Sequence, residues 1–318
     1  MGIVIGGGGS QAPDYQQAPD YHRKVIVRRV LSLPRLATGF VFYGVLSLAG
    51  LIMIMPFYWS LTTSFKPDQD IVSAAITWFP THVTIAHYVT TFTTVPFARY
   101  FLNSFILAGA GVLTNLFFGS LAGYAFARMR FPGRQALFRL LLGSMMVPAI
   151  VVMIPEFVIL RSLPLIGGND VTGHGGFGLL NSYWAIILSG AVGAFAIFLM
   201  RQFFLTLPGE LGEAARIDGC GEFRIFWGVY LPLSKPALAT LAILTFQAGW
   251  NAFLWPLIVL NDPMMSTVQM GLQSFSYQHS TDYGPLMAGS VLAILPIIGL
   301  FIYAQKYMLQ GIAFSGGK

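Results

Sequence analysis

Glu213-Ala214-Ala215-Arg216, Asp218-Gly219 and Glu222-Phe223 form the most polar internal stretch of an otherwise apolar chain. Residues 213–216 are helix formers. Gly219 permits a positive φ and hence a sharp reversal. A second short run, from Glu222 to Trp227, follows and ends at Leu231-Pro232, where proline cannot continue a helical ladder. The pattern predicts a helix–turn–helix lying on a membrane surface, its charges toward water and Ile225, Phe226 and Trp227 toward protein or lipid. The chemistry open to such an element is binding. It can serve as a handle for a soluble partner.

A second set of polar residues lies inside apolar runs: Asn103, Asn115, Glu156, Gln247 and Asn251. Polar groups in lipid are costly and often mark a pathway. Asn103, Asn115, Gln247 and Asn251 are therefore the candidates for a hydrophilic translocation path. The competing role is helix–helix hydrogen bonding, at roughly 0.6 kcal/mol each.

Catalytic patterns are missing from the sequence. No GxxxxGK[ST] phosphate loop occurs, so ATP is not expected to bind this chain. His22, His82, His87, His174 and His279 are scattered, and His82 and His87 have no carboxylate between them, so no metal site is expected. Cys220 is the single cysteine, which excludes an internal disulfide. No nucleophile, base and orienting acid are arranged together, and the chain reads as a non-enzyme.

The elements that must position these residues are membrane helices. Apolar residues are 55% of the chain, charged residues 9%, and the mean hydropathy is +0.69. Soluble domains carry about a quarter charged residues. The apolar runs are continuous rather than alternating, which selects helices over a barrel. Six stretches are long enough to cross a bilayer: 37–62, 102–127, 138–160, 183–203, 237–260 and 285–305. With the N-terminus inside, fifteen of the eighteen lysines and arginines fall on inner segments; only Lys66, Arg99 and Arg161 fall outside. Both termini and the Glu213 loop are then cytoplasmic. The expected class is an all-α, polytopic membrane protein with six spans and both termini in.

Residues 1–36 read as a cytoplasmic tail. Within it, 1–22 carry a Gly-rich run and two copies of QAPDY, a composition expected to be disordered. No cationic leader with a short apolar core opens the chain, so no cleaved signal peptide is expected. Arg23, Lys24, Arg28, Arg29 and Arg35 read as an anchor to anionic lipid rather than a nucleic-acid site. Of the outer loops, 63–101 has an interfacial composition, 161–182 is glycine-rich and expected to be mobile, and 261–284 is polar enough to meet an external partner.

The spacing Glu213-Ala214-Ala215, three residues, Gly219, nine residues, Val229, one residue, Leu231-Pro232 resembles the coupling motif of ABC importer permeases, with Val229 where the pattern usually has isoleucine. Asn103-Ser104, the stretch LAGYAFARMRFPGR from Leu121 to Arg134, Gly249-Trp250-Asn251 through Trp255-Pro256-Leu257, and the tail from Gln305 through Gln310-Gly311 to Lys318 are similar to the carbohydrate-uptake (MalG-like) subfamily. The resemblance covers roughly residues 37–318.

That resemblance implies a type I importer permease fold over 37–318, with a coupling loop at about 204–236. It further implies a multi-pass protein of a bacterial or archaeal cytoplasmic membrane. The implied partners are a second homologous permease, two ATP-binding subunits that hold the ATP and Mg, a periplasmic or lipid-anchored solute-binding protein, and membrane lipid. Glu213, Ala214, Ala215, Arg216, Asp218, Gly219, Glu222 and Phe223 would engage the ATPase, joined by Gln305, Gln310, Gly311 and Lys318 of the tail. The solute would be a sugar or sugar-like compound, with glycerol 3-phosphate or a polyol as alternatives within the class. The rival class is an ion-gradient-driven secondary transporter, which needs intramembrane charges; only Glu156 is available, near a membrane edge.

Overall fold

The structure is a computed structural model that describes residues 33–73, 76–276 and 281–315. The expected disorder of 1–22 and most of the basic anchor lie outside the described residues. The chain divides into two compact units, Met1–Ile54 and Met55–Lys318. The described part of the first is helical, and its apolar side chains, such as Phe40, Tyr43 and Met53, are exposed.

Among the described residues there is no strand, only an isolated antiparallel bridge between Ser276 and Thr281. Four helices are long and apolar enough to cross a bilayer. They are α1 (Leu33–Thr63), whose qualifying part is Phe40–Thr63; α2 (Phe97–Arg128); the interrupted span Tyr183–Thr206, made of α5 (Tyr183–Ser189) and α6 (Ala194–Thr206); and the last helix from Tyr283. Two bent pairs bring the count to as many as six if each is one span.

The first bent pair is α3 (Arg134–Ser144) with α4 (Ala149–Arg161), at 103°. It replaces the straight span expected over 138–160. Pro148 has no N–H to give, and it pushes Val147 toward extended backbone, so the ladder stops at Ser144.

The second bent pair is α8 (Glu222–Leu233) with α9 (Lys235–Trp250), at 80° about the buried Ser234. The expected span 237–260 is also interrupted: α9 ends at Trp250, and α10 (Leu254–Val259) starts after a break at Asn251–Phe253. Pro256 would clash with the carbonyl of Ala252 in a continuous helix. A short helix α11 (Val268–Gln273) follows, and α12 (Tyr283–Ser315) closes the chain.

Small residues let two helices of the second unit approach closely. A Cβ on Gly119 would lie 2.8 Å from the Ala196 Cβ, and one on Gly123 would lie 2.7 Å from the Met200 Cβ. Gly119 and Gly123 are spaced as a small-xxx-small face of α2, against which α6 packs. Around this contact lies a core of Tyr124, Phe204, Ile225, Phe226, Tyr230 and Leu241. Four of those six side chains come from positions adjoining the Glu213 loop, so the loop rests on the best-packed end of the unit.

The loop 161–182, expected to be mobile, follows a defined path. Asn169 donates from Nδ2 to the carbonyls of Arg161 (2.7 Å) and Leu163 (2.9 Å) and accepts from Gly176 N–H (2.8 Å). Gly167, Gly168, Gly173, Gly175 and Gly178 all have positive φ. The glycines serve a turn-rich path rather than slackness.

Candidate functional site

The Glu213 loop begins at α7 (Glu210–Ile217), an amphipathic helix with Glu210 and Glu213 in its first turn and Arg216 in its last. Acidic groups at the N-terminus and a basic group at the C-terminus match the helix dipole. Gly219 ends it at φ +78°. Its N–H reaches the Arg216 carbonyl (3.0 Å), and the Cys220 N–H reaches the Ala215 carbonyl (2.9 Å). This is a Schellman stop with glycine in the left-handed position. The reversal expected at Gly219 is present.

Glu213, Ala214, Arg216, Asp218 and Gly219 are exposed, Ala215 is half-buried, and Glu222 is half-buried in α8. Exposed apolar side chains flank them: Ile217 is 87% exposed and Phe223 62%. Ile225 and Phe226 are buried as expected, whereas Trp227 is exposed and stacks on Phe223, with centroids 6.3 Å apart. The result is a protruding, mixed apolar and charged surface suited to protein contact.

The loop is tied to the end of α2 by residues the sequence reading quoted without assigning them a role. The buried Tyr124 donates its hydroxyl to Glu222 Oε2 at 2.7 Å. Glu222 Oε1 in turn accepts from Arg216 Nε at 2.6 Å. One helical turn along α2, Arg128 Nη2 donates to the carbonyls of Phe204 (2.6 Å) and Leu207, the last carbonyls of α6. The Arg128 guanidinium also lies 5.0 Å from the Tyr230 ring centroid. Gly212 presses on that same ring: a Cβ there would sit 2.8 Å from the Tyr230 hydroxyl. Both ends of the loop are therefore clamped by one helix. The available signal was the i, i+4 spacing of Tyr124 and Arg128, which puts them on one face.

The four polar residues expected along a pathway separate into two pairs. Asn103, fully buried, donates to the carbonyls of Met264 (2.9 Å) and Ser266 (2.8 Å) and accepts from the Tyr183 hydroxyl (2.6 Å). Asn115 sits at the start of a π turn, Asn115–Gly119, and clamps the break between α5 and α6: Nδ2 donates to Gly111 and Gly190 carbonyls, and Oδ1 accepts from Gly193 N–H. Both amides are spent on the chain's own backbone. Gln247 and Asn251 are exposed on α9 and just beyond it, and Asn251 Oδ1 accepts from Gln269 at 3.3 Å.

In the tail, α12 carries the backbone of Gln310 and Gly311 in helix, and exposed Gln305 bonds only its own turn, at the Ile302 carbonyl. Lys318 lies outside the described residues. The buried Lys66 in the loop 63–101 donates to the Thr77 carbonyl, with its ammonium 4.1 Å from the Trp59 ring centroid. In the loop 261–284, Ser266, Thr267 and Val268 are buried, and the Val268 N–H is held by Ser104 Oγ (2.9 Å), so only part of that loop is free surface.

Comparisons with known proteins agree with this architecture. Residues 115–313 match the family described as binding-protein-dependent transport system inner membrane component. The arabinooligosaccharides transport system permease protein AraQ of Halalkalibacterium halodurans is 36% identical over 286 residues, covering 89% of this chain and 95% of that protein. The lactose transport system permease protein LacG of Rhizobium radiobacter is 33% identical, covering 89% and 98%. The sn-glycerol-3-phosphate transport system permease protein UgpE of Yersinia pestis is 32% identical, covering 86% and 96%. Among solved structures, a chain of a bacterial ABC transporter that imports the acidic polysaccharide alginate superposes with a TM-score of 0.74 at 26% identity, covering 87% of this chain and 98% of that one. The chain therefore belongs to the family of binding-protein-dependent transport system inner membrane components, the multi-pass permease subunits of ABC importers.

Proposed function

We propose that this permease serves an ATP-driven importer of a sugar or sugar-like solute, and that the Glu213 loop is where ATPase subunits drive it. The observation that carries the reading is the clamp between Tyr124, Arg128 and both ends of that exposed loop. A surface that docks a partner but is rigidly tied to a membrane span converts movement of the partner into movement of the span. ATP binding would close the two ATPase subunits, the loop would follow its docking cleft, and the cavity would turn outward. Hydrolysis would reset it. Energetically, the partner shifts a two-state equilibrium by contacting one state better than the other.

The solute class is supported by relatives named for arabinooligosaccharides and lactose, beside others named for sn-glycerol 3-phosphate. Oligosaccharide uptake is the reading we favour. Gln247, Asn251 and Gln269 form the exposed polar group that would face a second permease across the path; amides at this spacing suit a polyhydroxylated solute.

Co-purification from mild detergent followed by ATPase assay in proteoliposomes tests this. A second permease and an ATP-binding subunit should be recovered, and Glu213→Ala should lower solute-stimulated hydrolysis while the chain remains inserted. A chain that purifies alone and transports on an ion gradient would overturn it.

A further inference from the structure

Beside the Glu213 loop, between it and the segment that follows α2, lies an open polar pocket of about 650 Å³. Arg128, Arg130, Arg134, Arg216, Glu213 and Glu222 line it. Its charges do not cancel. Glu222 is taken by Arg216 and Tyr124, which leaves Glu213 as the only carboxylate facing three further guanidinium groups.

Those three groups have donors to spare. Arg128 uses Nη2 on backbone carbonyls, but its Nε is buried and has no hydrogen-bond partner. Arg134 uses Nη1 on the Met129 carbonyl, and Arg130 is exposed. A buried donor without an acceptor is costly, and a guanidinium fork is matched in shape by a carboxylate. The pocket is built to take an anion.

Two anions could reach it, a protein carboxylate or a lipid headgroup phosphate. The walls favour the first. Apart from Ala127 and Met129 the lining is polar or aromatic, so no aliphatic wall is present to receive acyl chains. Glu213 and Arg216 belong both to the pocket and to the loop, so a protein seated on the loop covers the mouth of the pocket.

We propose that this pocket receives an aspartate or glutamate side chain of the ATP-binding subunit that docks on the Glu213 loop, making Arg130 and Arg134 part of the interface. The proposal rests on the importer reading above. It adds a second, electrostatic anchor about one loop-width from the docking helix, and it makes attachment sensitive to ionic strength.

The test is retention of the ATP-binding subunit on affinity-purified permease across a salt series, comparing the natural chain with Arg130→Gln, Arg134→Gln and the double variant. Neutral glutamine avoids reversing charges that orient the chain, and labelling of Cys220 reports that the loop stays on its side of the membrane. The double variant is expected to lose the ATPase at least tenfold more readily and with a shallower salt dependence. An Arg130→Lys variant should recover part of the retention. Wild-type retention in the double variant at every salt concentration would overturn the proposal while leaving the importer reading intact, provided Glu213→Ala weakens coupling. Unchanged retention combined with uptake that collapses only when anionic lipid is withdrawn would overturn it in favour of a lipid headgroup. A natural chain that captures no ATPase would remove both readings together.

Discussion

Tyr124 and Glu222, 98 positions apart in the chain, meet through a 2.7 Å hydrogen bond that joins a membrane span to the turn of the Glu213 loop. The donor is buried and the acceptor is half-buried, so the bond is shielded more than a surface contact. Hydrogen bonds to charged groups contribute about 1.5–3 kcal/mol. That is enough to decide whether the loop moves as part of the span or apart from it.

Tyr124→Phe should keep the ring packing on Phe204 and Phe226 and delete only the hydroxyl. Membrane insertion and thermal stability in detergent should change little, while uptake per ATP hydrolysed falls by about tenfold, the equivalent of 1.4 kcal/mol. Uptake and hydrolysis falling in strict proportion would show that the bond supports folding rather than coupling.

Gly219 stands at φ +78° with open space where a Cβ would go. Gly219→Ala therefore meets no clash and carries only the backbone cost of the left-handed region, about 1 kcal/mol. Asparagine, which tolerates that region, should come closer to wild type than alanine. Comparison of uptake in the two variants checks this; alanine equal to or better than asparagine would refute the Schellman assignment.

Gly123→Ala is expected to behave differently, because its Cβ would lie 2.7 Å from Met200 Cβ and 2.9 Å from Arg201 N. Overpacking of this kind costs about 1–3 kcal/mol. A lowered melting temperature in detergent is the measurement, with Gly133→Ala, which meets nothing within 4 Å, as the comparison for strain without clash.

Asp170 organises the turn of the loop 161–182. Its carboxylate accepts from the His174 N–H (3.0 Å) and from the Thr172 hydroxyl (2.7 Å) and N–H (2.8 Å), which hold its pKa down to about 2. Because the folded value is depressed, the turn is fully supported above the ordinary aspartate value of 3.8 and loses that support as pH falls toward 2. Amide-exchange protection at Thr172 and His174 should decline across that window. In Asp170→Asn it should be lower at neutral pH and flat with acidification.

How much was legible in the sequence depended on the range of the interaction involved. The Glu213 loop was legible because its signals are local: a charged run, one glycine that must take positive φ, and a helix-stopping proline. Pro148 and Pro256 were visible too, yet their effect depends on whether neighbouring helices accommodate a kink, and here both interrupt spans that composition alone draws as continuous. In the loop 161–182 the glycines signalled mobility, but positive φ and slack backbone leave the same trace in a sequence; Asn169 decides between them. Asn103 and Asn115 read as polar groups in lipid, with no local hint that Met264, Ser266, Gly190 and Gly193 would satisfy them. Tyr124 to Glu222 needed the third dimension.

The π turn at Asn115–Gly119 sets the angular phase of everything that follows it in α2. A π turn holds one residue more than a regular turn, and each α-helical residue advances the side chains by roughly 100°. Deleting a single residue there would let the helix run regularly and swing Tyr124 and Arg128 about a quarter-turn or more away from Glu222 and Leu207, while Asn103, upstream, stayed in place. The two halves of this span are indexed independently, one to the loop at 261–267 and one to the Glu213 loop. A one-residue change in length, invisible to any hydropathy profile, would disconnect a permease that still inserts and folds.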